Sequence, residues 1–223
     1  MSIEMNPENV QNLRPDSIIV SSGRPERRPD ASVNANISMT STFIAPGDLG
    51  YGRTGNETWS ALESAISGLE GGKTLLFSSG LASIAAIFAL LPDRSVIVAP
   101  RNCYTGTMYW LNRLATERSC EVRFVDSGNT EEVLAALPGA NFLWMESPTN
   151  PALEVADLPV IIPAAKRLGL GVGVDNTFAT GLIQQPLAMG ADISMNSVTK
   201  FISGHSDLIM GSLSMDDEAL YNR

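Results

Sequence analysis

The stretch NFLWMESPTNPALEVADLPVIIPAAKRLGLGVGVD, Asn141–Asp175, decides the architecture. It opens on NFLWME and closes on LGVGVD, two short apolar runs that each end in an acid, and residues from about Leu158 to Leu168 between them read as a helix. Strands that are apolar on both faces and separated by helices belong to a parallel sheet covered on both sides. The alternation continues outward, through TLLF, LASIAAIFALL, SVIVAP, TGTMYWLNRLA, VRFVD and EEVLAAL on one side and ADISMNS on the other. The expected fold is an open α/β domain, a mostly parallel sheet with helices on both faces.

Further upstream, Trp59, Leu62, Ile66 and Leu69 recur at helical spacing, and Gly71-Gly72 supplies the stop. Before Asn56 the chain is rich in Pro, Asn, Ser and Arg without a sustained period. SGRPERRPDASVNAN reads as an extended arm of the kind that reaches over a neighbouring subunit. Residues 1–56 are therefore expected to form an arm and residues 57–223 the α/β domain. The far end reads as an edge strand followed by the start of a helix.

Of the 223 residues, 44% are hydrophobic and 17% charged, as in a globular domain with a sizeable core. With 15 Lys and Arg against 24 Asp and Glu, the net charge of -9 repels phosphate backbones and anionic lipid, so nucleic acid and membranes are not expected partners. Cys103 and Cys120 make no disulfide framework and lack the spacing of metal ligands, which suits a reducing cytoplasm and no metal. The amino end lacks the basic start and apolar stretch of a signal peptide. The longest strongly apolar run, Ile84–Leu91, is far short of a membrane span.

In an open α/β sheet, ligands bind beyond the carboxyl ends of the strands. FSSGLAS, Phe77–Ser83, stands at such an end and opens into a helix. Its N–H groups at Gly80 and Leu81, with the hydroxyls of Ser78 and Ser79, suit a phosphate, but taken alone the stretch reads first as a plain serine N-cap. GLEGGKT has the wrong glycine spacing for a Walker loop and precedes a strand. GLGVGVD places its glycines inside a strand, against a dinucleotide fingerprint. Asp175, ending an apolar strand, either caps a loop or needs a cationic or hydrogen-bonding partner. One predicted strand later, NSVTKFISGHSD presents Lys200 between hydroxyls, close enough in topology to face the same crevice. A phosphate cradle, a strand-end carboxylate and a lysine are the parts that pyridoxal phosphate requires.

Several segments, in order and spacing, closely resemble the Cys/Met-metabolism family of pyridoxal-phosphate enzymes, which includes cystathionine γ-synthase, the cystathionine lyases and methionine γ-lyase. They are YGRTGNETWSALESAISGLEGG, SSGLAS, ESPTNP, VDNTFAT, PLAMGADISMNSVTKFISGHSD and the following MGS. The resemblance implies the large domain of an aspartate-aminotransferase-like, fold-type-I enzyme that assembles as a homo-oligomer, a dimer or a homotetramer. Its implied activity is transsulfuration, C–S elimination or γ-replacement on a small sulfur-containing amino acid. Lys200 would carry the cofactor and move protons, and Asp175 would pair with the pyridine nitrogen. Gly80, Leu81, Ser197 and Thr199 would hold the phosphate, with Tyr51 and Arg53 reaching the phosphate of the neighbouring subunit. Tyr104 would stack on the ring and take part in proton transfer, and Asn150 would lie near the ring hydroxyl.

Glu146 reads as structural, His205 as a loop hydrogen-bonder and Cys103 as packing. Thr105 stands where the family often has glycine, which would strain a backbone angle that needs one. Family members continue into a smaller carboxy-terminal domain that grips the substrate carboxylate. The alternative reading is therefore a truncated, catalytically incompetent fragment or an interaction module that keeps the cofactor-site sequence.

Overall fold

The computed structural model describes residues 13–223, and the chain divides into two compact units, residues 1–69 and 70–223. Residues 1–12 of the expected arm lie outside the described residues. The arm is not wholly extended: Pro15–Ser21 forms a short helix, α1, with proline in its first turn, where the missing N–H removes no helix bond. From there to Asn56 the chain makes only the isolated bridge between Thr42 and Tyr51. The expected second helix, α2, spans Glu57–Glu70. Asn56 Oδ1 accepts from Thr58 N at its start (2.9 Å), and Gly71 and Gly72 end it at positive φ of 84° and 63°.

In the second unit, strands β1 (Lys73–Phe77), β2 (Val96–Pro100), β3 (Glu121–Val125), β4 (Phe142–Glu146), β5 (Gly171–Asp175), β6 (Ile193–Asn196) and β7 (Gly211–Met215) form one sheet in the order β1-β7-β6-β5-β4-β2-β3. β7 pairs antiparallel with both β1 and β6, while β6, β5, β4, β2 and β3 pair in parallel. The mostly parallel α/β sheet is as expected. The strand read as an edge is not one, because β1 pairs along its whole length and covers the edge that β7 would have exposed.

Side-chain parity sorts the core into two layers. Ile97 and Ala99 of β2, Phe142 and Trp144 of β4, Met195 of β6 and Leu213 of β7 pack against helices α3 (Gly80–Ala89) and α4 (Thr105–Glu117). Val98, Leu143, Met145, Val172 and Val174 face the other way, toward α5 (Thr130–Ala136) and α6 (Leu158–Arg167). Two short helices, α7 (Thr180–Ile183) and α8 (Glu218–Tyr221), complete the described elements, with a 3-10 turn at Leu187–Met189.

The glycines of LGVGVD serve this packing. Gly171 and Gly173 stand in register with Phe142 and Trp144, and a Cβ on Gly173 would come within 3.0 Å of the Trp144 ring and 3.1 Å of Phe142. Omitting two side chains on β5 makes room for two large rings on β4, and Trp144 packs edge-on against Phe88 with ring centroids 5.4 Å apart. Gly173→Val is therefore expected to lower the unfolding free energy by about 1–3 kcal/mol through overpacking. Urea unfolding followed by tryptophan fluorescence checks it, and an unchanged midpoint would contradict this role for the glycine.

Candidate active site

A crevice of about 260 Å³ opens at one end of the sheet. Phe77, Glu146, Asp175 and Asn196 are the last residues of β1, β4, β5 and β6, so the crevice lies at the carboxyl ends of these four strands. Gly80, Leu81, Tyr104, Asn150, Asp175, Ser197, Thr199 and Lys200 all line it. Tyr51 and Arg53 belong to the first unit. There they pair with each other, the guanidinium 4.9 Å from the ring centroid.

Both readings of FSSGLAS hold in part. Ser79 caps α3, its hydroxyl accepting from Ala82 N (3.1 Å) and its carbonyl from Ser83 N (3.2 Å). No acceptor for the N–H groups of Gly80 and Leu81 is found among the described residues, and both residues line the crevice at the positive end of the helix. Gly80 also permits a close approach, since a Cβ there would lie 2.8 Å from Ser197 Cβ. The helix terminus and the Ser197 hydroxyl thus border one notch of the crevice, a setting that suits an anion.

The lysine loop is held by its neighbours. Ser197 N donates to Thr177 Oγ1 (2.8 Å), Lys200 N to Ser197 O (3.0 Å) and Gly204 N to Lys200 O (2.8 Å). Thr199 lines the crevice, but its hydroxyl donates to Met210 O (3.1 Å) and accepts from Met210 N (3.0 Å). A hydroxyl has one proton to give, so Thr199 fastens the loop to the strand entering β7. His205 behaves as read, its ring bonding Ser203 O at 2.8 Å.

In the same crevice, β4 and β5 end side by side with Glu146 in register with Asp175. Both carboxyls are buried. Asp175 Oδ1 accepts from Thr177 N (3.0 Å), and burial nevertheless pushes its proton affinity up. Glu146 is raised to about 8, first by burial and then by the charge of Asp175, against the two N–H groups that it accepts. Burial, with the charges of Glu146 and Asp175, pushes the Cys103 thiol up to about 12, which fits its reading as packing. Tyr104 immediately precedes α4, and Thr105 opens that helix without a positive φ, so the departure from glycine strains nothing. The next residue, Gly106, leaves room for the Tyr104 ring.

Two acids matter more here than their sequence suggested. Glu146 lines the crevice, and its position at a strand end matching that of Asp175 was the available signal. Glu70 is buried behind the sheet, where Ser194 Oγ (2.6 Å), Asn196 Nδ2 (2.9 Å) and Asn176 Nδ2 (3.2 Å) donate to it. It ties together the strand ends that precede Lys200 and follow Asp175. An acid in the last turn of a helix opposes the helix dipole, and that was its sign.

The sequence model of the Cys/Met metabolism PLP-dependent enzymes matches residues 16–223. The chain belongs to this family. It is 39% identical over 207 residues to cystathionine gamma-lyase of Homo sapiens, covering 89% of this chain and 51% of that protein. With cystathionine beta-lyase MetC of Bacillus subtilis (strain 168) it shares 38% identity over 189 residues, 84% of this chain and 48% of the relative. The crystal structure of a cystathionine gamma-lyase from Micromonospora echinospora superposes with a TM-score of 0.88 at 35% identity, covering 94% of this chain and 57% of that one. The chain spans about half the length of the curated relatives it matches. Pyridoxal phosphate is the cofactor of this Cys/Met-metabolism family, and the crevice suits it, with an anion notch, a buried carboxyl and an amine on one cavity.

The raised carboxyls give a pH signature. The folded state keeps protons on Glu146, and in the same direction on Glu70 and Asp175, that the unfolded chain releases above the ordinary carboxyl range. Their contribution is complete at low pH and is lost as pH rises through the folded values, to about 8 for Glu146. The thermal midpoint of the cofactor-free protein should fall between about pH 5 and pH 8, and Glu146→Gln should reduce the fall. Scanning calorimetry across that range checks it, and a midpoint that rises with pH would contradict the assignment.

Proposed function

We propose that the chain forms the cofactor-binding part of a pyridoxal-phosphate-dependent enzyme of transsulfuration, acting on cystathionine-like amino acids by C–S elimination or γ-replacement. One observation carries this reading: Lys200, the amino terminus of α3 and the buried Asp175 converge on a single cavity. The relatives named as γ-lyase and β-lyase support the reaction class.

In this reading the N–H groups of Gly80 and Leu81 and the hydroxyl of Ser197 bind the phosphate, and Thr199 keeps the loop in place. Asp175 would pair with the pyridine nitrogen, whose positive charge would offset the cost of burying the carboxylate. Tyr104 would cover the ring face, and Asn150 would hold the ring near its hydroxyl. When bound, pyridoxal phosphate supplies an electron sink for the substrate's α-carbon. Lys200 would hold it through Nζ, and the same amine would move protons between substrate carbons.

The remaining assignments concern assembly and setting. Stacked together, Tyr51 and Arg53 reach the phosphate of a neighbouring copy in a homo-oligomer. Ile37, Met39 and Ile44, which are 81%, 95% and 96% exposed, suit an arm that another surface covers. Two free, buried cysteines suit a reducing cytoplasm.

Added pyridoxal phosphate is expected to give a visible absorbance band that borohydride fixes at Lys200. Lys200→Ala should abolish the band, and Asp175→Asn should weaken cofactor affinity on the order of a hundredfold. Absorbance titration and peptide mapping check both, and wild-type protein without a band would overturn the cofactor assignment. Release of ammonia and a keto acid from cystathionine tests the reaction itself.

A further inference from the structure

We propose that Glu146 is a positioning residue of this site: one carboxylate holds the main chain at both Tyr104 and Asn150, and so fixes the two groups that bracket the cofactor ring. The inference rests on the cofactor reading above and adds a residue that touches neither the phosphate notch nor the lysine loop.

The geometry is specific. Tyr104 N donates to Glu146 Oε2 at 2.9 Å, and Asn150 N donates to Glu146 Oε1 at 2.6 Å. Each oxygen takes one N–H, from two loops that leave different strands. The first follows β2 and enters α4, and the second follows β4 itself. Both residues line the crevice with Glu146 between them in the fold. No lysine, arginine or histidine pairs with Glu146 among the described residues, so these two amides are the polar partners found for the carboxyl. A buried acid kept beside Asp175 at an electrostatic cost, and bonded only to the backbone of two site loops, has positioning as its function.

The side-chain chemistry supplies a discriminating change. Glutamine has the same shape but a single accepting oxygen, so Glu146→Gln keeps one N–H bond and turns an amide donor against the other. Glu146→Asp keeps both acceptors on a stem one methylene shorter.

The test uses the full chain without and with pyridoxal phosphate. Amide hydrogen exchange in the cofactor-free protein above about pH 8, where Glu146 is a carboxylate with two accepting oxygens, reads the strut itself. Glu146→Gln should speed exchange at Tyr104 or Asn150 by about tenfold or more while Leu143 of β4 is unchanged. Titration by absorbance should then show cofactor affinity weakened about tenfold, with the borohydride-fixed band still forming at Lys200, and Glu146→Asp should be intermediate. Unchanged exchange would overturn the strut, and faster exchange with wild-type affinity would overturn its role at the site. Wild-type protein that binds no cofactor would overturn the site reading and this inference with it, an outcome separable by the wild-type titration alone.

Discussion

Glu146 and Asp175 are neighbours because β4 and β5 run parallel and in register, and because the residues before them alternate large against absent: Phe142 beside Gly171, then Trp144 beside Gly173. Adjacent strands are about 4.8 Å apart. Burial makes both carboxyls resist ionisation, and the charge of Asp175 adds to this at Glu146. The buried pair therefore holds protons, and a cationic ring nitrogen would relieve the same tension. The remaining features of the crevice are arranged around this pair.

Around it, the polar groups divide according to the face of the sheet. The anion notch, Tyr104 and the acid pair belong with the α3 and α4 side, whose core is built on Phe88, Leu111 and Trp144. The other face carries Ser194 and Asn196 with Glu70, a buried network that fixes the strand ends without entering the crevice. One face thus presents chemistry while the opposite face holds it rigid, and the alternation of side chains along each strand separates the two.

Much of this was readable from the sequence. The α/β series followed from the apolar runs, the stop of α2 from Gly71-Gly72, and eight of the ten named site residues line one cavity. Other features were not readable, for identifiable reasons. β7 looked like an edge strand because a short segment near the end of a chain does not announce its neighbour, and β1, more than a hundred residues away, covers it. Thr199 reads as a phosphate ligand because hydroxyls beside a lysine suit one, and its contacts with Met210 O and N are visible only in the fold. Glu146 looked structural because its partners are backbone amides, which have no signature in composition.

The sequence by itself determined the periodicities, and with them which segments are strands or helices, together with the presence of an amine, a carboxylate and a phosphate-suited turn at element ends. Those are properties of consecutive residues and their side chains. Tertiary structure alone decided which strand ends are adjacent, that Glu146 meets Asp175, and that Glu70 braces the loops from behind. Such proximities depend on strand order and register, which are set by which faces can be buried together and not by any local run of residues.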